Sequence, residues 1–312
     1  EEAIAAFNKA LTIKHGFSEA RENLIFLLTL HSPKAKISHP IFDVTDALKK
    51  IDLRFDISKT MSDDRIRKII LKMEKILSIS PVDIVTDLSQ VYRRNSISLN
   101  CSRHMSIFNN YSIIPEFCFS CYKVQVEPNT VLELLNLYII FDQLKLDNNN
   151  SRKCIVELRP EISGFYKGLI YCSNLEEAIL VSGQLDGLLK KYIRPTISSQ
   201  IKRGCSEYPI AFPSYKEISI TGPQAMIYNE KWRDIEIQHD QKFANKPKNT
   251  IHPTLSGLSL HDCRIIKNWF SYAKGIGDES IEFIGEDIDC NNAIHSQAIK
   301  RSKQYPYIKN RL

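Results

Sequence analysis

The chain has 312 residues, 43% hydrophobic and 25% charged, with a formal net charge of +6. That length accommodates two domains of ordinary size, and the composition is normal for a globular protein. No run approaches the roughly eighteen apolar residues of a membrane span, and the excess positive charge is neither large nor gathered in a tail, so neither a membrane nor a nucleic acid is the expected partner. Eight cysteines, unevenly spaced, are too sparse for a disulfide-stapled secreted scaffold and read as cytoplasmic thiols, some of them candidate metal ligands.

Residues 1–24 open with apolar and small side chains at Ala3, Phe7, Ala10 and Leu11, which is helical spacing. His15-Gly16 forms a turn, and a second helix begins near Ser18, with Glu19 and Glu22 placing negative charge close to its amino-terminal turn. Ala3, Phe7 and Ala10, followed by Ala20 and Leu24, resemble the second helix of one tetratricopeptide repeat and the opening of the next, with His15 where that family usually has proline. The resemblance covers residues 1–30 and implies a protein partner bound by a stack of helical repeats. Because a single repeat cannot bury its own apolar face, the other units are expected upstream.

Residues 31–100 read as a helical extension or bridge. Ser62, Asp63 and Asp64 form a cap ahead of Ile66, Ile69, Ile70, Met73 and Ile76. Ser80-Pro81 breaks that helix, and residues 82–92 are expected to form one more.

The pattern changes over residues 101–220. Alternation predicts strands over 119–127, 153–159 and 166–172, a strongly apolar helix over 130–144, and a helix capped by Ser173 or Asn174 running to about Tyr192. A fourth strand is expected within 208–220. The order β-α-β-β-α-β predicts a ferredoxin-like split domain, making the protein α+β. The strand YKGLIYC followed by NLEEA also resembles the third strand of an RNA-recognition motif, but Lys123 and Gln125 stand where that module would stack an aromatic on its first strand. Residues 221–312 are expected to cover the sheet: a hairpin or long strand over 225–238, a polar loop over 240–250, and an amphipathic helix over 260–273 presenting Ile265, Ile266, Trp269 and Phe270, ended by Gly275 and Gly277.

Two constellations carry candidate chemistry. Cys101-x2-His104 and Cys118-x2-Cys121 have the spacing of two knuckles completing a tetrahedral zinc site. The same residues read alternatively as buried free thiols, or as part of an iron–sulfur cluster recruiting Cys154 or Cys172. On the sheet, alternation turns Val124, Val126, Val156 and Leu158 toward the helices, leaving Lys123, Gln125, Glu127, Glu157 and Arg159 on the opposite face. Covered, that face becomes a polar cleft in which Glu127 or Glu157 serves as base while Arg159 or Lys123 holds an anionic small-molecule substrate; uncovered, it is a solvated surface of charge pairs. His239, His252, His261 and Cys263 are scattered through the tail; His261-x-Cys263 at a helix start reads as a capping or hydrogen-bonding histidine, with a catalytic pair as the alternative. The chain lacks a Gly-rich dinucleotide fingerprint, a phosphate-binding loop, a His-Glu-x-x-His helix and a Gly-x-Ser-x-Gly elbow. Two functions therefore stand side by side: a repeat-tethered enzyme or small-molecule-binding domain using the sheet face, and a non-catalytic interaction module held by a zinc knuckle.

Overall fold

The computed structural model describes residues 1–34, 37–54, 62–93, 99–243, 257–285 and 290–305. Within the loop expected at 240–250, residues 244–250 lie outside this set, as does His252. The described part is a mixed α+β fold in which an amino-terminal helical stretch joins a small antiparallel sheet.

Helices α1 (Glu2–Ile13) and α2 (Ser18–Leu30) pack against each other. Ile4 and Leu11 are the buried residues of α1, with Phe7 and Ala10 half-buried and Ala3 exposed, so the inward stripe is rotated slightly from the one expected. Helix α3 (Pro40–Lys49) begins with proline in its first turn, where the missing amide costs nothing, and the His39 ring accepts from the Ile41 amide at 3.2 Å. Helix α4 (Asp63–Ser78) buries Ile66, Ile69, Ile70, Met73 and Leu77 on one face.

The helix expected at 82–92 does not form. Ser80 and Asp83 side chains accept from the amides of Val82 and Val85, a local arrangement that competes with helical turns. The backbone carbonyls that follow are taken from outside. Arg264 donates to those of Ile84 and Val85, Asn268 to those of Thr86 and Leu88, and Trp269 to that of Ser89. The segment stays extended and enters the sheet as β1 (Gln90–Arg93).

Two helices, α5 (Cys101–Tyr111) and α6 (Glu116–Ser120), precede β2 (Tyr122–Val126). Then come α7 (Val131–Gln143), β3 (Arg152–Val156), β4 (Tyr166–Cys172), α8 (Leu175–Tyr192) and β5 (Ser199–Arg203). Of the caps expected, Asn174 accepts from the Glu177 amide, while the Ser62 side chain makes no capping bond to α4; Thr130 caps α7 by accepting from the Glu133 amide. The strands align in the order β1-β3-β4-β2-β5, every neighbouring pair antiparallel. The last strand lies earlier than the 208–220 expected. Pro209 and Pro213 sit in the first turns of a short helix, α9 (Tyr208–Ala211), and of a 3-10 turn at Pro213–Lys216, and proline suits such first turns while it cannot donate to a strand ladder.

Val124, Val126, Val156 and Ile170 are buried on the face that carries α7 and α8. The approach of α7 is so close there that a Cβ on Gly168 would meet Leu137 Cδ2 at 2.3 Å. The remaining helices are α10 (Arg233–Phe243), α11 (Leu260–Ile276), α12 (Ser280–Ile284) and α13 (Asn292–Gln304). In place of the expected strand at 225–238, residues Glu230–Trp232 make a 3-10 turn that runs into α10. Helix α11 packs against α2, α7 and α13, with Trp269 edge-on to Tyr138 of α7 at 6.1 Å, and ends at Gly277 in the left-handed conformation. Gly275 lies inside α11, where a Cβ would meet Ala298 Cβ at 2.6 Å and the His295 carbonyl at 2.7 Å. Among the described residues, no helix is long and apolar enough to cross a membrane.

Gly275→Ala is expected to lower unfolding stability by about 1–3 kcal/mol, because α13 must retreat along its backbone. Chemical denaturation of the two proteins measures this, and an unchanged midpoint would mean that α11 and α13 do not meet there.

Candidate functional site

The face of the sheet away from α7 is built by strand register. Lys123 of β2 stands opposite Tyr171 of β4, and Lys153 of β3 stands between Tyr92 of β1 and Leu169 of β4. Helix α5 and the 204–207 segment after β5 rise beside this floor and enclose a cleft of about 540 Å³. Its walls include Cys101, Ser102 and Met105 from α5, Cys121 and Lys123 at the start of β2, and Arg159 beyond β3. The volume is of the order that a small molecule fills.

Three cations reach this cleft. Lys123 is 5% exposed and donates to Ser206 Oγ at 2.8 Å; burial pulls its ammonium down to about 8. Lys153 donates to Gln90 Oε1 at 3.2 Å, its ammonium lying 5.6 Å from the Tyr92 ring and 5.8 Å from the Tyr171 ring, and burial lowers its pKa as well. Arg159 bridges Glu157 and Glu207, with nitrogen–oxygen distances of 2.9 and 2.7 Å. Glu207 is the carboxylate on the cleft wall.

Of the acids singled out in the sequence, neither lines the cleft. Glu157 accepts from both Arg159 and Lys167, the latter at 3.0 Å. Burial pushes this carboxyl up, but the Arg159 hydrogen bond and the Lys167 charge outweigh it and hold the group at about 2. A carboxylate so acidic is a weak proton acceptor near neutrality. Glu127 lies at the end of β2, accepting from Gln125 at 2.6 Å and 3.7 Å from Lys202. Lys123 and Arg159 are brought together; Glu127 and Glu157 stand to one side.

The zinc expectation is overturned, and the iron–sulfur one with it. Among the described residues, no group of three or more His, Cys, Asp or Glu side chains is arranged to hold a metal ion. The reason is local. Cys101 and His104 lie on helix α5, not in a knuckle loop. The His104 ring stacks on Phe117 at 5.1 Å, and burial, aided by Arg103, brings its pKa down to about 4. Cys118 points into a small second core with Ile114, Tyr208 and Tyr215, where its sulfur lies 3.4 Å from the Tyr208 hydroxyl. Cys121 faces the cleft, its thiol pushed up to about 12 by burial.

Several lining residues escaped the sequence reading. Lys153, the first residue of the strand expected over 153–159, has the same parity as Glu157 and Arg159, so that alternation already places it on this face. Tyr92 was hidden by the helix expected at 82–92. Cys205, Ser206 and Glu207 come from a connection with no motif. The tail supports the site from behind: Tyr272 donates to the Glu157 carbonyl at 2.8 Å, and Arg301 donates to the carbonyls of Arg159, Ile162 and Gly164.

Glu157→Gln is expected to cost about 3 kcal/mol near neutral pH, since it strands Lys167 and Arg159 without their anion. The folded-state pKa lies below the ordinary value of 4.5, so this stability is complete above about 4.5 and is lost as pH falls toward about 2. Denaturation at a series of pH values should show the gap between wild type and variant closing over that window; a gap independent of pH would refute the ion-pair account. No protein-family model, no curated protein and no solved structure matches this chain.

Proposed function

We propose that the protein is a small-molecule-binding domain whose sheet-face cleft takes an anionic ligand. The observation that carries this reading is the state of Lys123 and Lys153. Both ammonium groups are partly or wholly desolvated, and each hydrogen-bonds a neutral oxygen, that of Ser206 or of Gln90. Such charges are costly to keep from water, and an anion placed between them would offset that cost. Tyr92 and Tyr171 on the same wall suit a flat or apolar portion of the ligand.

The wider organisation is part of the proposal. The order β2-α7-β3-β4-α8-β5 and the strand sequence β3-β4-β2-β5 support a ferredoxin-like split domain with β1 added at one edge. The paired helices α1 and α2, with Ala20 and Leu24 buried between them and the core, support a tetratricopeptide-like unit that tethers this domain to a protein partner. The sparse, uneven cysteines support a reducing, cytoplasmic setting.

Pyrophosphate is a suitable probe, because it needs only charge and donors. Titration calorimetry at low salt should give saturable binding, weakened about tenfold or more in Lys123→Gln and in Lys153→Gln, the loss of one charge-assisted hydrogen bond each. Affinity should also fall as pH rises through about 8, where Lys123 gives up its proton and with it its attraction for an anion. Absence of saturable heat, or equal binding by wild type and both variants, would end this reading.

A further inference from the structure

The cleft holds a feature that anion binding does not use. Cys205, on its wall, packs against the small second core that contains Cys118, Tyr208 and Tyr215. Cys205 and Cys118 are both free thiols, and the Cys118 sulfur lies 3.4 Å from the Tyr208 hydroxyl. Cys118 is 2% exposed, while Cys205 is half-buried and opens to the cleft. The two come from segments far apart in sequence that are pinned together. The Gly204 amide donates to the Cys121 carbonyl at 2.9 Å, and a Cβ on Gly204 would meet the Cys121 sulfur at 2.4 Å, so only glycine lets the 204–207 segment lie this close. From the other side, Tyr215 donates to the Cys118 carbonyl at 2.8 Å and Arg203 to the Phe119 carbonyl at 2.6 Å.

We infer that Cys205 and Cys118 form a redox-active dithiol, Cys205 attacking a low-molecular-weight disulfide that enters the cleft and Cys118 resolving the product. The opening of Cys205 to the cleft and the burial of Cys118 set the order of events. The Cys205 thiolate attacks one sulfur of the incoming disulfide. Its S–S bond breaks, one thiolate leaves and takes up a proton, and a mixed disulfide remains on Cys205. The Cys118 sulfur then gives up its proton and attacks Cys205, forming the Cys118–Cys205 bond and expelling the second thiol. Two protein thiols are oxidised, one small disulfide is reduced to two thiols, and both protons end on the leaving groups. Cys121 also lines the cleft and is the competing partner for Cys205 that peptide mapping distinguishes. The inference stands whether or not the cleft binds pyrophosphate.

The test uses the full chain and glutathione disulfide at pH 7, followed by alkylation, digestion and mass spectrometry. Wild type should yield a linked Cys118–Cys205 peptide pair that a reductant releases, with Cys205 consumed about five- to tenfold faster than exposed Cys290. Cys118→Ser should accumulate a glutathione adduct on Cys205, and Cys205→Ser should leave Cys118 unmodified. A bond to Cys101 or Cys121 instead, adducts spread evenly over the exposed thiols, or no reaction at Cys205 in the wild-type chain would each overturn the assignment. The wild-type measurement decides the matter even if a serine variant fails to fold.

Discussion

Val124 lies opposite Ile170 on one side and Ile201 on the other, and this register between β2 and its neighbours governs everything built on the sheet. A shift of one residue would send Lys123 and Tyr171 into the layer beneath α7 and expose the valines. The close seat of Gly168 under Leu137 and Phe141 resists such a shift, because only a glycine at that position lets α7 descend so far. With the apolar parity committed to the helices, the opposite parity has to carry the polar side chains, and the floor of the cleft follows as a consequence of covering the other face.

Buried arginines fasten the remaining pieces to this frame. Arg93 of β1 is 1% exposed, ion-paired to Asp262 at 2.9 Å and stacked over the Tyr138 ring at 4.2 Å. Arg264 holds Glu22 at 2.6 Å along with two carbonyls of the extended segment, linking α2, α11 and the approach to β1. Arg152 donates to the carbonyls of Phe141 and Leu144 at the end of α7, and Arg301 holds the loop that carries Arg159. The guanidinium fork can satisfy several otherwise orphaned carbonyls at once, so arginine suits places where irregular backbone is buried. The amino-terminal helices and the tail are thereby joined mechanically to the cleft, though neither contributes a side chain to its floor.

The anion site and the dithiol that we propose would share one cleft and favour each other. Desolvated lysines raise the local positive potential, which attracts anions and stabilises a nearby thiolate. Of the two thiols proposed to react, Cys205 opens to the cleft while Cys118 lies in the core behind it. The Glu157, Arg159 and Lys167 network at the edge keeps Arg159 oriented without consuming Lys123 or Lys153.

The sequence determined the local elements wherever patterning and capping agreed. The apolar run over 130–144 marked a buried helix, Asn174 marked the start of α8, and the alternation in YKGLIYC placed β4 with its full extent. Parity alone put Lys123 and Arg159 on one face. Spacing failed for the metal, since two-residue gaps on a helix and on a short helical turn do not bring Cys101, His104, Cys118 and Cys121 to one point; a knuckle depends on loop backbone that the spacing does not specify. Tertiary structure completed the extended path of residues 82–92, begun by the local Ser80 and Asp83 bonds, because side chains about 180 positions later claim their carbonyls. It decided likewise that Cys205 meets Cys118, a contact that rests on where β5 ends and on the absence of a Cβ at Gly204. Local patterning is legible because it depends on neighbours in the chain; the cleft's thiols and the path into β1 depend on partners that only folding brings within reach.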